Sequence, residues 1–294
     1  MEMKSEMKME MSHNFYENIA PFILHNEFFK KLLSIQLFIN ATAGEKFHIL
    51  AIGDVAAGKS IIANEIKNIA SLSSYCGKKT TPVGILENLI GTDGGILCVD
   101  EFDKIDKQVR EHLLESMQLG FVTQSKYKSH ITQKARVCIL ALCNPNNYVL
   151  NLDIPLIHQV RFGLPILTRF HAIIGIKQID SSYYQRIAES FNLYRDPEVE
   201  EKRQMQMREH VIRTKEKFPV IELNNTFAKK IGDYVQYLKK NSVVKDIVSP
   251  RTIEGMMSAC KANARCNKRN NVIKEDYEYV RDIYDRLYML KRWD

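Results

Sequence analysis

The chain has 294 residues, 45% of them hydrophobic and 26% charged, enough to bury a full core as one large domain or two modest ones. Its formal net charge of +7 is mild, compatible with a polyanionic partner without demanding one. No apolar run reaches membrane-spanning length and no signal-peptide pattern opens the sequence. The six cysteines (Cys76, Cys98, Cys138, Cys143, Cys260, Cys266) contain no C-x-x-C pair, so we expect a cytoplasmic protein (nucleoid-associated if prokaryotic) with reduced, mostly buried thiols, no zinc site and no membrane partner.

In chain order, Met1 to Met11 is low in complexity, and residues 1–13 are expected to be a disordered or frayed tail. Residues 14 to about 45 read as helical, with apolar positions at Phe28, Leu32, Leu33 and Leu37. Phe47 to Ile52 reads as a buried strand. Gly53-Asp-Val-Ala-Ala-Gly-Lys-Ser60 follows and fits G-x-x-x-x-G-K-[ST], a phosphate-binding loop, and Ile61 to Leu72 reads as the helix after it. Thr80 to Asp93, with Pro82, Gly84 and Gly91, reads as a linker. Gly94 to Glu101 is an apolar strand ending in two carboxylates, and Lys107 to Gln118 an amphipathic helix. Phe121 to Lys134 alternates polar and apolar around a basic centre, as a β-hairpin does. Val137 to Cys143 is another buried strand, ending at Asn144-Pro145. A loop-rich segment runs to Arg169, and a strand from His171 to Ile176 closes an α/β nucleotide-binding domain over 14–178. Strands alternating with helices predict a parallel sheet flanked by helices. Beyond it the periodicity is helical, with helices expected near 181–192, 197–216, 225–240, 250–267 and 273–291, an all-helical domain over 179–294. Ser249-Pro250 is a helix start, an N-cap Ser with Pro in the first turn. No internal repeat is visible.

A phosphate loop wraps backbone N–H groups around phosphates at a helix N-terminus, where the helix dipole favours negative charge. Gly53, Asp54, Val55, Ala56, Ala57, Gly58, Lys59 and Ser60 form that loop here, and the implied ligands are a nucleoside triphosphate and Mg²⁺. Lys59 is expected to reach the β/γ-phosphates, with Ser60 and Asp100 as the metal-holding pair. Glu101 would orient and polarise the attacking water, and Asn144 would sit as a polar sensor beside the γ-phosphate.

Phosphate loop, Asp-Glu, strand-terminal Asn and a helical lid together resemble an AAA+ ATPase. Within that class, Cys98-Val-Asp-Glu-Phe-Asp-Lys-Ile105 is similar to the signature of the minichromosome-maintenance (MCM) replicative helicases. So are Ile19-Ala-Pro21 with Lys30-Lys31-Leu-Leu33, the stretch Glu115 to Pro145, Leu167-Thr-Arg-Phe170, and Ser249-Pro-Arg251, so that the likeness covers about 15 to 290. The resemblance implies that Arg169, as an arginine finger, and Arg251, as a second sensor, reach the nucleotide of a neighbouring subunit. It therefore implies a homo-oligomeric ring, a hexamer by family analogy. It also makes the hairpin a pore element that contacts single-stranded or duplex DNA. Lys126, Tyr127, Lys128 and Lys134 are the contact candidates, in a stretch with no acid between Glu115 and Asp153. A second basic cluster, Lys261, Arg265, Lys268 and Arg269, reads as a solvated helix face or an intersubunit contact.

The chain departs from the family pattern in places. We expect it to lack the N-terminal DNA-binding and zinc-bearing domain, the C-terminal winged helix and the second pore insertion. Gly58 stands where the family usually carries Ala, and His171 where it carries Asp. The expectation is a minimal MCM-type ATPase acting on DNA as a helicase-like motor, with full-length MCM or other replication proteins as further partners. The alternatives are an ATPase that remodels a protein partner, as magnesium-chelatase-like relatives do, and an accessory subunit in a full-length MCM ring. The intact Lys59, Asp100, Glu101, Asn144 and Arg169 set argues against the accessory role, and the acid-free hairpin favours DNA over protein.

Overall fold

The structure, a computed structural model, describes residues 15–23, 25–126, 129–151, 153–178, 181, 184–185, 188–189 and 196–289. The expected tail over 1–13 and most of the helix expected near 181–192 lie outside the described residues.

Five parallel strands form the central sheet: β1 (Ile49–Gly53), β2 (Ser73–Cys76), β3 (Ile96–Val99), β6 (Cys138–Cys143) and β7 (Ala172–Ile176), in the order β2-β3-β6-β1-β7. Strands β1, β3 and β6 are buried at every position, as continuous apolar runs in a parallel sheet covered on both faces should be. Register is set by pairs such as Ile49↔Leu140, Ile49↔Ala172 and Ile96↔Cys138, which align the C-terminal ends of β3, β6 and β1 side by side. In an open α/β sheet, that edge is where ligands bind.

Helices flank the sheet: α1 (Glu27–Leu37), α2 (Lys59–Ile69), α3 (Pro82–Gly91), α4 (Lys107–Leu119) and the single turn α5 (Leu164–Leu167). Helix α4 starts at Asp106, whose carboxylate accepts the Gln108 N–H at 2.7 Å, and stops at Gly120, where φ is 73°. β4 (Phe121–Lys126) and β5 (Ser129–Lys134) then form a separate two-stranded antiparallel sheet. Four longer helices follow: α6 (Pro197–Lys217), α7 (Asn225–Asn241), α8 (Pro250–Cys266) and α9 (Lys274–Tyr288). Among the described residues no helix is long and apolar enough to cross a membrane.

Three readings are corrected. The helix expected over 14–45 is interrupted: a 3-10 turn at Phe15–Asn18 is followed by non-helical backbone around Pro21, with Ala20 at φ 42° and Asn26 at φ 64°, before α1 begins. The linker expected over 80–93 is mostly α3. Thr81 caps it, its hydroxyl accepting the Gly84 N–H at 3.1 Å, and Pro82 opens the first turn, so the residues read as turn formers are a helix start. β2 was not expected, because Ser-Ser-Tyr-Cys is a polar edge strand without an apolar run.

The basic cluster at the end of α8 is a solvated face only in part: Lys268 is exposed and Lys261 half-buried, but its arginines are engaged within the chain. Arg265 is fully buried and bidentate to Glu45 (2.7 and 2.9 Å), and it donates to the Phe38 and Phe218 carbonyls at 2.6 and 2.8 Å. It ties α8 to the segment before β1. Arg269 pairs with buried Asp276. A second buried tie, Arg203 to Glu65, joins α6 to α2. All six cysteines are buried free thiols, and burial pushes their pKa values up, to about 12 for Cys98 and about 11 for Cys138.

A candidate nucleotide site at the sheet edge

The phosphate loop leaves β1 at Gly53 and enters α2 at Lys59. A Cβ on Gly53 would lie 2.5 Å from the Ile176 carbonyl oxygen, so only glycine lets the loop pass so close to β7. Gly58 has φ 78°, a left-handed conformation that favours glycine. Ala56, at φ 63°, adopts a left-handed conformation at a cost of about 1–2 kcal/mol. Val55, Ala56 and Ser60 are exposed on the loop, and Ala57 is buried beneath them.

Lys59 is only 8% exposed. Its Nζ donates to the Gly53 and Asp54 carbonyls at 2.7 and 2.5 Å and to Asn144 Oδ1 at 3.2 Å. Burial lowers its pKa. The ammonium thus sits in the cradle of the loop with the strand-terminal Asn144 beside it. Ser60 Oγ donates to Asp100 Oδ2 at 3.0 Å, bringing a hydroxyl and a carboxylate together at the head of α2. Two hard oxygen donors beside a phosphate cradle fit Mg²⁺. Tyr75, from β2, also donates to Asp100 Oδ2, at 2.5 Å.

Glu101 has φ 50° and lies between two lysines, Lys104 at 2.5 Å and Lys78 at 3.5 Å. Lys104 first, then Lys78, hold its carboxyl below the usual range, so it is ionised and engaged. Asp54 does not face the cradle. Its carboxylate accepts the Leu150 N–H at 2.6 Å and the Gln178 N–H at 2.9 Å, so it clamps the loop to the segments after β6 and β7.

Sequence reasoning missed one wall of this site. Residues on either side of position 24 pack on the loop: Asn26 Nδ2 donates to the Ala57 carbonyl at 3.3 Å, and Ile23 Cδ1 lies 3.5 Å from where a Gly58 Cβ would be. Buried Lys30 holds the segment, donating to the Ala20 and Ile23 carbonyls at 2.8 and 2.6 Å, and desolvation lowers its pKa to about 8. His25 stands at the same wall, its pKa lowered to about 4 by burial. The signal in the sequence was the pair Ile19-Ala-Pro21 and Lys30-Lys31-Leu-Leu33, which carried the family likeness without showing that this stretch reaches the loop.

Arg169 and Arg251 form a second group. Arg169 donates to the Pro165 carbonyl and, at 2.9 Å, to Gln118 Oε1 at the end of α4. The Gln118 carbonyl accepts Lys46 Nζ at 2.9 Å, and Lys46 pairs with Glu254 of α8 at 3.6 Å. Desolvation, then the charge of Arg251, lowers the Arg169 pKa. Among the described residues neither arginine has an ion pair with a carboxylate.

The hairpin is registered from Phe121↔Lys134 to Lys126↔Ser129. Lys134 is exposed; Tyr127 and Lys128 lie outside the described residues, as does the side chain of Lys126. Its base is fixed by the Ala135 N–H to Gly120 carbonyl bond (2.9 Å) and by Arg136, which is bound to Asp93 rather than free for a ligand.

Fold and site together define a P-loop nucleotide-binding domain with a strand-terminal Asp-Glu pair and a helical region behind it. Residues 2–192 match the MCM P-loop domain, and the chain belongs to the MCM family. It is 27% identical over 301 residues to the DNA replication licensing factor mcm4 of Schizosaccharomyces pombe, covering 87% of this chain and 32% of that protein. It is 24% identical over 304 residues to the licensing factor Mcm2 of Drosophila melanogaster (88% and 34%), and 29% identical over 204 residues to MCM3 of Entamoeba histolytica (61% and 34%). The chain spans about a third of the length of these curated relatives.

Proposed function

We propose that this chain is an ATP-hydrolysing MCM-type motor core that works on DNA as part of a ring, most simply a homo-hexamer. One observation carries the reading. Lys59, Ser60, Asp100 and Asn144 converge where β1, β3 and β6 end side by side, with Glu101 next in line.

Phosphoryl transfer needs positioning and charge neutralisation more than covalent help. The loop N–H groups cradle the phosphates. Lys59 exchanges its bonds to the Gly53 and Asp54 carbonyls for phosphate oxygens and stays beside Asn144. Ser60 and Asp100 hold Mg²⁺, which offsets phosphate charge when bound. Glu101, released from Lys104 and Lys78, orients the attacking water. The wall formed by Ala20, Ile23 and Asn26 offers a place for the base. Arg169 and Arg251, with no acid of their own among the described residues, complete the charge on a neighbour's γ-phosphate, which makes hydrolysis depend on assembly. The hairpin supplies lysines for sequence-independent phosphate contacts.

The test is ATP turnover with and without single-stranded DNA, with Lys59→Ala as the blank. Stimulation by DNA, lost in Lys126→Ala and weakened by salt, supports the motor. Turnover that ignores DNA would redirect the reading to a protein substrate, and turnover that survives Lys59→Ala would sink it.

A further inference from the structure

His171 is the residue that departs from the family pattern next to the arginine finger, and it is 2% exposed. Its Nδ1 accepts the His48 backbone N–H at 2.8 Å, while His48 Nδ1 accepts the Ile139 N–H at 3.0 Å. With Nδ1 accepting, each neutral imidazole carries its proton on Nε2. The two rings stack with centroids 5.1 Å apart. His48 immediately precedes β1, His171 immediately precedes β7, and Ile139 lies near the start of β6. The pair therefore closes the N-terminal ends of three adjacent strands, the end opposite the phosphate loop.

The imidazole of His171 also rests on α8. A Cβ added at Gly255 would lie 2.5 Å from His171 Cδ2 and 2.8 Å from its Cβ and Cγ, so the ring touches the helix where only glycine leaves room. Arg251 stands one turn before Gly255 on the same face of α8, and Arg169 stands two residues before His171. The charge of Arg251 bears on His48, His171 and Arg169 alike. Stability alone does not account for this imidazole. Among the described residues its Nε2 has no hydrogen-bond partner, and an orphaned buried donor costs about 1–3 kcal/mol.

We propose that His171, seated between His48 and Gly255, is a positioning residue that holds Arg169 and Arg251 at a fixed separation from each other and from the central strand. This rests on the reading of those arginines as acting across a subunit interface. His171 touches no nucleotide. It fixes one arginine through the backbone leading into β7 and the other through the packing of α8. A shift of about 1 Å in such a group can cost about a hundredfold in rate.

Subunit mixing tests it. Lys59→Ala has intact arginines and a disabled phosphate loop; Arg169→Ala has the reverse. Turnover regained by mixing the two establishes action across the interface. His171→Ala alone should lose about a hundredfold in turnover and bind a fluorescent ADP analogue as the parent does. Mixed with Lys59→Ala it should regain turnover, because its own phosphate loop then meets sound arginines. Mixed with Arg169→Ala it should not. His171→Asn, whose Oδ1 can accept the His48 N–H, should retain most activity. If His171→Ala does not fold, Gly255→Ala takes its place in the same mixtures, its added methyl pressing on the ring. Should Arg169→Ala complement Lys59→Ala while neither the His171 nor the Gly255 variant does, the positioning role is overturned and the interface reading stands. Should Arg169→Ala fail to complement, the interface reading falls and takes the positioning role with it.

Discussion

Replacing Arg265 by Met should unfasten the helical region from the nucleotide-binding domain. The guanidinium is fully buried and makes two bonds to Glu45, at 2.7 and 2.9 Å, and two to the Phe38 and Phe218 carbonyls, at 2.6 and 2.8 Å. Met fills much of the same volume, so the cost is electrostatic. It leaves Glu45, 4% exposed, with one hydrogen bond from the Asn40 N–H at 2.8 Å and the more distant charge of Lys215, and strands two carbonyls. Removing one partner of a buried ion pair costs about 3–5 kcal/mol, a large share of the 5–15 kcal/mol that holds a typical domain. With a urea slope of about 2–3 kcal/mol/M, the midpoint should fall by about 1–2.5 M. Arg265→Lys should land between, since an ammonium keeps the charge but not the planar fork. Glu45→Gln together with Arg265→Met should cost less than the two single changes added, by at least about 1 kcal/mol. The assay is equilibrium urea unfolding followed by circular dichroism, with limited proteolysis to locate the loosened segment. A midpoint shift below about 0.3 M would refute the argument that this pair is the tie.

Three other outcomes follow from the site. Tyr75→Phe removes the 2.5 Å bond that competes for Asp100, and should lower the Mg²⁺ concentration for half-maximal turnover by roughly fivefold; an unchanged or higher requirement would contradict the metal assignment. Lys104→Ala should raise turnover in the absence of DNA by no more than about threefold, because a solvent-screened pair restrains Glu101 only weakly; a fall would mean that Lys104 supports catalysis. Acid should destabilise the fold. Burial lowers the pKa of His48 to about 3 and that of His171 well below its usual value, so the unfolded chain binds the extra protons first. The stability tied to neutral imidazoles is whole above about pH 6.5 and falls as pH drops, by about 1.4 kcal/mol per pH unit for each histidine. Urea midpoints at pH 7.5, 6.5 and 5.5 measure the slope, and His171→Asn should flatten it; an equal slope in that variant would show that the proton uptake lies elsewhere.

Much of the site was legible because its requirements are local. A loop that must pass within reach of β7, turn left-handed and open a helix needs Gly53, Gly58 and Lys59 at fixed spacing, and a run such as Ile96–Val99 ending in Asp100 and Glu101 shows its role in a single strand. What escaped depends on distant partners. Arg265 looked like one charge among several on a helix, since its carboxylate lies 220 residues earlier. β2 carries no apolar run because it is an edge strand, and α3 was hidden by a proline and glycines that fit its first turn and its end. The wall formed by Ala20, Ile23 and Asn26 is pinned by the buried Lys30 through the Ala20 and Ile23 carbonyls, and no periodicity predicts that. His171 stood out as a substitution, but its contact with Gly255 exists only once α8 has packed.

The arginines show how structural and functional charge part company in this fold. Arg203 has Glu65, Arg136 has Asp93, Arg265 has Glu45 and Arg269 has Asp276, while Arg110 lies over the rings of Phe102 and Phe162. Arg169 and Arg251 stand near enough for one to lower the other's pKa, and among the described residues neither has an acid. Two cations held together, one of them partly desolvated, repel each other, and folding gains nothing from that repulsion. It is relieved when an anion enters between them. A γ-phosphate carries that charge, and the chain's own phosphate loop already has Lys59 for it. On the proposed reading, a neighbour that brings its nucleotide to these arginines should bind more tightly than one that arrives empty, so that assembly and nucleotide loading would strengthen each other.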